Sequence, residues 1–129
     1  MEENKRIPEE VAAEEFLYRG VVDNQWDVEH NRPSSATFKD SKGASVDRDA
    51  LFRNPTTCVD ALLNSKPFKA VCRVKELNVE KANAITLYLP FPGNEYHCEI
   101  HDSSEKVTLS GGKAKKIRDC AEVVYKRQE

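Results

Sequence analysis

Arg19, Arg32 and Arg48, with Ser34, Ser35 and Ser45 among them, fall within one stretch of the chain. A guanidinium grips two oxygens of a phosphate or carboxylate at once, and serine hydroxyls add donors with little bulk. Brought together, these side chains would hold the anion of a nucleotide-like or phosphate-bearing ligand. Tyr18, next to Arg19, is counted with the same pocket. The plainer reading is an Arg-Pro-Ser-Ser loop whose serines cap turns, with Arg48 paired on the surface to Asp47 or Asp49. Arg19 separates the two readings best. An arginine between apolar residues on one strand face must sit at a rim or own a fixed partner.

The second set is His97-Cys98-Glu99-Ile100-His101. On a strand, alternate residues share a face about 7 Å apart, so His97, Glu99 and His101 would stand in a row. His97 with Glu99 is a candidate acid–base pair. Two imidazoles at this spacing reach one metal ion, but the ends of the row are ~13 Å apart, and only His30 remains as a further histidine. No metal is assigned, and no cofactor is called for. The plainer reading has one histidine structural, the other exposed, and Glu99 solvated or paired to an arginine.

Two further features point to structure. Ser110-Gly111-Gly112-Lys113 stands at the mouth of a helix, where free N–H groups attract anions. It lacks the spacing of a P-loop, so it reads as a flexible helix entry. Cys72 and Cys120 fall on apolar stripes and read as core residues. Cys98 alternates away from the His97/Glu99 face, which disfavours a Cys–His nucleophile.

The elements that must position these residues are short. Phe16–Val22 is aromatic and β-branched and reads as the first strand, stopped by Asp23-Asn24. A short strand is expected at Ala36–Phe38 and another extended piece at Ala44–Val46. Asn54-Pro55 opens a helix carrying Val59, Leu62 and Leu63. Phe68–Lys75 alternates as a half-buried strand, with Ile85–Leu89 and Tyr96–His101 beyond it. After Ser110, the stripe Ala114, Ile117, Cys120, Ala121, Val124 predicts a second helix. The expected fold is therefore α+β: one small domain over residues 14–129, with short, mostly antiparallel strands and two packed helices, behind a flexible segment over residues 1–13.

Composition bounds the partners. The 129 residues carry 20 basic and 22 acidic side chains, a net charge of -2, which does not resemble a general nucleic-acid binder. No apolar run is long enough to span a membrane, and Met1–Arg6 precedes no signal-like segment. Four cysteines without a Cys-x-x-Cys pair fit a cytoplasmic protein with reduced thiols.

The succession Leu17-Tyr18-Arg19, Arg32-Pro33-Ser34-Ser35-Ala36-Thr37-Phe38, Ala44-Ser45-Val46-Asp47-Arg48 and His97-Cys98-Glu99-Ile100 resembles a group of small uncharacterised bacterial proteins, a likeness that implies no activity. Arg19 and Arg32 are also similar to the two early arginines of RES-domain toxins and the wider ADP-ribosyltransferase fold. That likeness implies NAD handling, with Glu99 the only late acid able to serve. The Gly-Arg-Trp-Asn-like segment of RES domains is absent. The leading expectation is a bacterial protein with one polar pocket for a nucleotide-like or phosphate-bearing ligand, transferring or hydrolysing it. The alternative is a non-catalytic interaction or regulatory module with a protein partner.

Overall fold

The computed structural model describes residues 7–50 and 53–128. In chain order these form β1 (Phe16–Val21), β2 (Trp26–Asp27), β3 (Arg32–Pro33), β4 (Ala44–Arg48) and helix α1 (Pro55–Ser65). There follow β5 (Ala70–Lys75), α2 (Glu76–Lys81), β6 (Ile85–Tyr88), β7 (His97–His101), α3 (Gly111–Cys120) and β8 (Glu122–Lys126). Six strands make one antiparallel sheet in the order β6-β7-β4-β1-β5-β8, and β2 with β3 forms a separate ribbon. The fold is a small α+β domain, with a third α-helix at Glu76–Lys81 beside the two expected.

β1 holds the centre. It pairs with β5 along its length, from Phe16 opposite Lys75 to Val21 opposite Ala70. Against β4 it pairs only at Leu17–Arg48 and Tyr18–Asp47, so the two strands part after two positions. Alternation then sorts the side chains. Leu17, Val21, Val46, Cys72, Val74 and Ile100 share one face, packed against Phe38, Val79, Ala114 and Ile117. We call this the core face. On the opposite, outer face α1 lays Cys58 and Val59 over Tyr18 and Val71. The β4–β7–β6 half of that outer face carries Ser45, Asp47, His97, Glu99, His101 and Leu87.

Local chemistry explains the elements. Asn54 Oδ1 accepts a hydrogen bond from Thr56 N–H at 2.8 Å, with Pro55 at the first helical position. Ser110 Oγ accepts from Lys113 N–H at 3.3 Å and its own N–H donates to Asp102 Oδ1 at 2.9 Å. The mouth of α3 is thus already filled by a serine cap. Gly20 lies under the Phe68 ring, where a Cβ would collide with ring carbons.

Three expectations need correction. Ser35–Phe38 is a 3-10 turn, not a strand, because Thr37 N–H donates back to Ser34 O and Lys39 N–H to Ala36 O. The last helix stops at Cys120, and Val123, Val124 and Tyr125 belong to β8 on the open edge of β5. β-Branched and aromatic residues suit a strand, and that edge offers backbone partners a longer helix would leave unused. Cys120 is consequently exposed rather than part of the core.

Of the segment over residues 1–13, residues 1–6 lie outside the described residues. From Pro8 on, the chain is held: Pro8 O and Glu10 O accept from Arg48, Leu77 N–H donates to Ala13 O, and Val11 is buried.

Candidate functional site

The arginines expected to share a pocket with His97 and Glu99 lie on the other side of the sheet. Arg48 is 0% exposed. Its Nε and Nη2 donate to Glu15 Oε1 and Oε2 at 3.0 and 2.8 Å, and its guanidinium lies 4.7 Å from the Tyr88 ring centre. The Glu15 carboxylate also accepts from Ala12 N–H at 2.7 Å and Ala50 N–H at 3.0 Å. This is a buried ion pair that fastens the N-terminal segment to β4. The pairing expected with Asp47 or Asp49 is replaced by one with an acid thirty-three positions away.

Arg19 stands where β1 and β4 part. Its Nε donates to Thr37 O and its Nη1 to Ser45 O, both at 2.8 Å. The side chain takes over the backbone acceptor that the missing β1–β4 ladder leaves open, and ties the 3-10 turn to the sheet. Burial lowers its pKa and Asp40 opposes that at longer range, while among the described residues no carboxylate touches it. Arg32, on the β2–β3 ribbon opposite Asp27, is exposed.

The serines disperse as well. Ser34 follows the ribbon, and its Oγ is buried with no hydrogen-bond partner among the described residues. Ser35 is exposed in the 3-10 turn. Ser45 alone is exposed on the outer face, directly opposite Glu99. Tyr18 shares that face but is 1% exposed beneath α1, and its hydroxyl accepts from Arg73 Nη1 at 3.1 Å. The structure therefore brings together Ser45, His97 and Glu99. It does not bring Arg19, Arg32, Arg48, Ser34 or Ser35 to them.

His97, Glu99 and His101 form the expected row. Glu99 sits between the rings, with His97 Nε2 at 3.3 Å and His101 Nε2 at 3.0 Å from its two oxygens. An ionised carboxylate only accepts, so each ring donates its Nε2–H and keeps Nδ1 as the acceptor in its neutral form. Partial burial pushes the Glu99 carboxyl up, but the hydrogen bonds from His101 and His97 outweigh it and hold the group below its usual range. A carboxylate that fixes an imidazole tautomer makes that imidazole a competent base. The Phe91 ring meets His97 edge-on, 5.1 Å between centres. Over His101 lies Gly43, at φ +96°, where a Cβ would stand 2.6 Å from Nε2. Only glycine accepts both that backbone and that approach.

Beside this row a cleft of about 710 Å³ opens between α1 and residues 91–96. Asp47, Arg53, Phe91, Asn94 and Tyr96 line it, with Leu62 of α1 as its apolar wall. Arg53 lies 3.4 Å from the Tyr96 ring centre and donates to Arg48 O and Asp49 O. Asn94 Nδ2 donates to Asp47 Oδ1 at 2.8 Å, and Asp47 faces His97 across β4 and β7. Sequence reasoning singles out neither Arg53 nor residues 91–94. The available signal was a chain reversal carrying an exposed aromatic and a hydrogen-bonding amide immediately before the His-x-Glu-x-His row.

Among the described residues no group of three or more His, Cys, Asp or Glu side chains is arranged to hold a metal ion. The Cys72 and Cys98 thiols are pushed up to about 12 by burial, which leaves neither as a thiolate near neutral pH. Among the described residues no helix is long and apolar enough to cross a membrane. Compared with protein-family models, curated proteins and solved structures, the chain matches none.

Proposed function

We propose that the chain binds a nucleoside-like small molecule in the cleft between α1 and residues 91–96, with His97 and Glu99 as its acid–base pair. The observation that carries this reading is the juxtaposition of a cleft of about 710 Å³ with an imidazole held by a carboxylate at 3.3 Å. Phe91, half exposed, offers a flat apolar surface for a ring. Asp47 and Asn94 offer an acceptor and an amide to a base edge or a sugar hydroxyl. Among the described residues Arg53 is the one cation of the lining, against the carboxylates of Asp47 and Glu95. That balance disfavours a polyphosphate and suits a ligand with at most one phosphate. Transfer or hydrolysis at such a ligand would use His97 as base, with Glu99 fixing its tautomer. The resemblance to RES-domain and ADP-ribosyltransferase proteins adds NAD and ADP-ribose to the ligands worth testing. Free cysteines throughout fit a cytoplasmic setting within the same proposal.

Thermal unfolding against adenosine, AMP, NAD and ADP-ribose tests this. A ligand at a hundred times its Kd adds about 2.7 kcal/mol, several degrees for a chain of this size. The expected result is a shift with one of them that is lost in Phe91→Ala and in Asn94→Ala and kept in His97→Ala. No shift with any of the four, or a shift untouched by Phe91→Ala and Asn94→Ala, overturns the assignment of this cleft.

A further inference from the structure

The two edges of the sheet are built differently. β8 carries Glu122 and Lys126, and its register against β5 shifts between Val71 and Cys72. Lys126 Nζ also reaches over the Trp26 ring and donates to Asn31 Oδ1 at 3.0 Å. Charges and bulges are the devices that keep an edge strand from pairing with other chains. β6 and the two residues after it read Ile85-Thr86-Leu87-Tyr88-Leu89-Pro90, with no charged side chain. Leu87 and Leu89 are 37% and 42% exposed.

The open backbone groups of β6 can be identified. Leu89 N–H donates to His97 O at 3.0 Å, so residues 85, 87 and 89 point their backbone toward β7. By alternation Thr86 and Tyr88 point theirs outward. Among the described residues nothing pairs with those outward groups. Pro90, without an N–H, limits the usable edge to these two residues.

Two hollows of about 320 and 300 Å³ run along this edge. Among the described residues their lining includes Thr86, Tyr88 and the acidic side chains Glu9, Glu10, Glu76 and Glu80, and no lysine, arginine or histidine. Thr86 Oγ1 donates to Glu76 Oε1 at 2.6 Å, which places the acids on the same side of the sheet as Thr86 and Tyr88. On the other side of the sheet, Leu87 and Leu89 offer exposed apolar side chains, with Glu99 beside Leu87 on β7. A second copy of this chain would bring the same carboxylates against their counterparts, so charge selects a partner of opposite sign.

We propose that the edge of β6 takes an extended, basic segment of a partner protein as an added strand of the sheet. The backbone of that segment bonds Thr86 and Tyr88. Its residues opposite those two are lysine or arginine, facing Glu9, Glu10 and Glu80, and its residue opposite Leu87 is apolar. Such strand addition draws affinity from main-chain hydrogen bonds and selectivity from alternate side chains. The inference does not rest on the cleft beside His97.

The test uses the full chain with a labelled, end-blocked peptide of alternating lysine and valine, and a glutamate–valine peptide of equal length. Binding is read by fluorescence anisotropy and by amide exchange. The lysine–valine peptide should bind about tenfold or more tightly than its acidic counterpart at low salt, the scale of a few rim charges. Thr86 and Tyr88 amides, exchanging freely in the chain alone, should become protected. Leu87→Lys and the double variant Glu9→Gln with Glu10→Gln should each weaken binding severalfold with unchanged thermal midpoints. Absent or equal binding of the two peptides, or binding without protection of Thr86 and Tyr88, overturns the proposal. So does a concentration-dependent dimer that Leu87→Lys dissolves, since the edge would then be a self-interface.

Discussion

On the core face of the sheet, Arg19 and Arg48 are buried and tied to backbone carbonyls, Arg48 also to a carboxylate. On the outer face, His97, Glu99 and His101 hold one another and leave the next cleft open. Both faces carry the residue types that bind ligands, and they hold them in different ways. Burying a guanidinium costs several kcal/mol unless its donors are met. Arg48 meets them with the two oxygens of Glu15 and two carbonyls, Arg19 with two carbonyls. Arg118, also buried, does the same with Pro33 O and Asp119. A strand arginine among apolar neighbours therefore marks a seam between segments in this molecule. The His97, Glu99 and His101 side chains, by contrast, bond chiefly to one another.

Removing Arg48 breaks this contrast most severely. Arg48→Ala leaves Glu15 buried and unpaired, and should lose about 3–5 kcal/mol in denaturant unfolding. Restoring much of that loss in the double variant Arg48→Met with Glu15→Met would show that the pair serves folding alone. A loss under ~1 kcal/mol for Arg48→Ala would instead reopen Arg48 as a ligand group.

The core face also holds a carboxyl whose charge is unwelcome. Burial raises Glu76 to about 7, with Glu80 adding to the rise and the Thr86 hydrogen bond opposing it. Because the folded value lies above the ordinary 4.5, the folded chain holds this proton more tightly. The resulting stability is complete below the ordinary value and is lost as pH rises through about 7. The difference corresponds to at most about 3 kcal/mol. Glu76→Gln should therefore raise the midpoint at pH 8 and change it little at pH 4. Equal effects at both pH values would show that its proton is not linked to folding.

The smallest stability effect belongs to the outer face. His97→Ala should cost about 1 kcal/mol, as losing one partly exposed hydrogen bond does, while removing any turnover of a bound ligand. A loss of several kcal/mol would place His97 with the arginines as a structural residue.

Strand alternation and capping were legible in the sequence. Phe16–Val21, the Asn54-Pro55 helix start and the row at 97, 99 and 101 needed only local rules. What stayed hidden depends on distant segments. Val123–Tyr125 fits an apolar helical stripe until β5 presents its open edge, and Ser35–Phe38 is a turn because Arg19 draws in Thr37 O. The arginines misled for the same reason. Nothing near Arg48 in the chain announces Glu15, or carbonyls at Pro8 and Glu10, as its partners. The cleft was missed because its lining comes from β4, α1 and a loop that sequence rules treat as punctuation.

The strand order has a consequence in time. β1 lies at the centre of the sheet, but its neighbours β4 and β5 begin at residues 44 and 70, and β8 comes last. Few of these pairings are local, so each requires closing a long loop before its hydrogen bonds form. Refolding should accordingly take on the order of milliseconds to seconds. β6 and β7 are the exception, since consecutive strands can pair locally and then join the sheet through β4. During that interval the uncharged edge of β6 is open to other chains, and chaperone demand or aggregation on dilution from denaturant should fall when Leu87 is replaced by lysine.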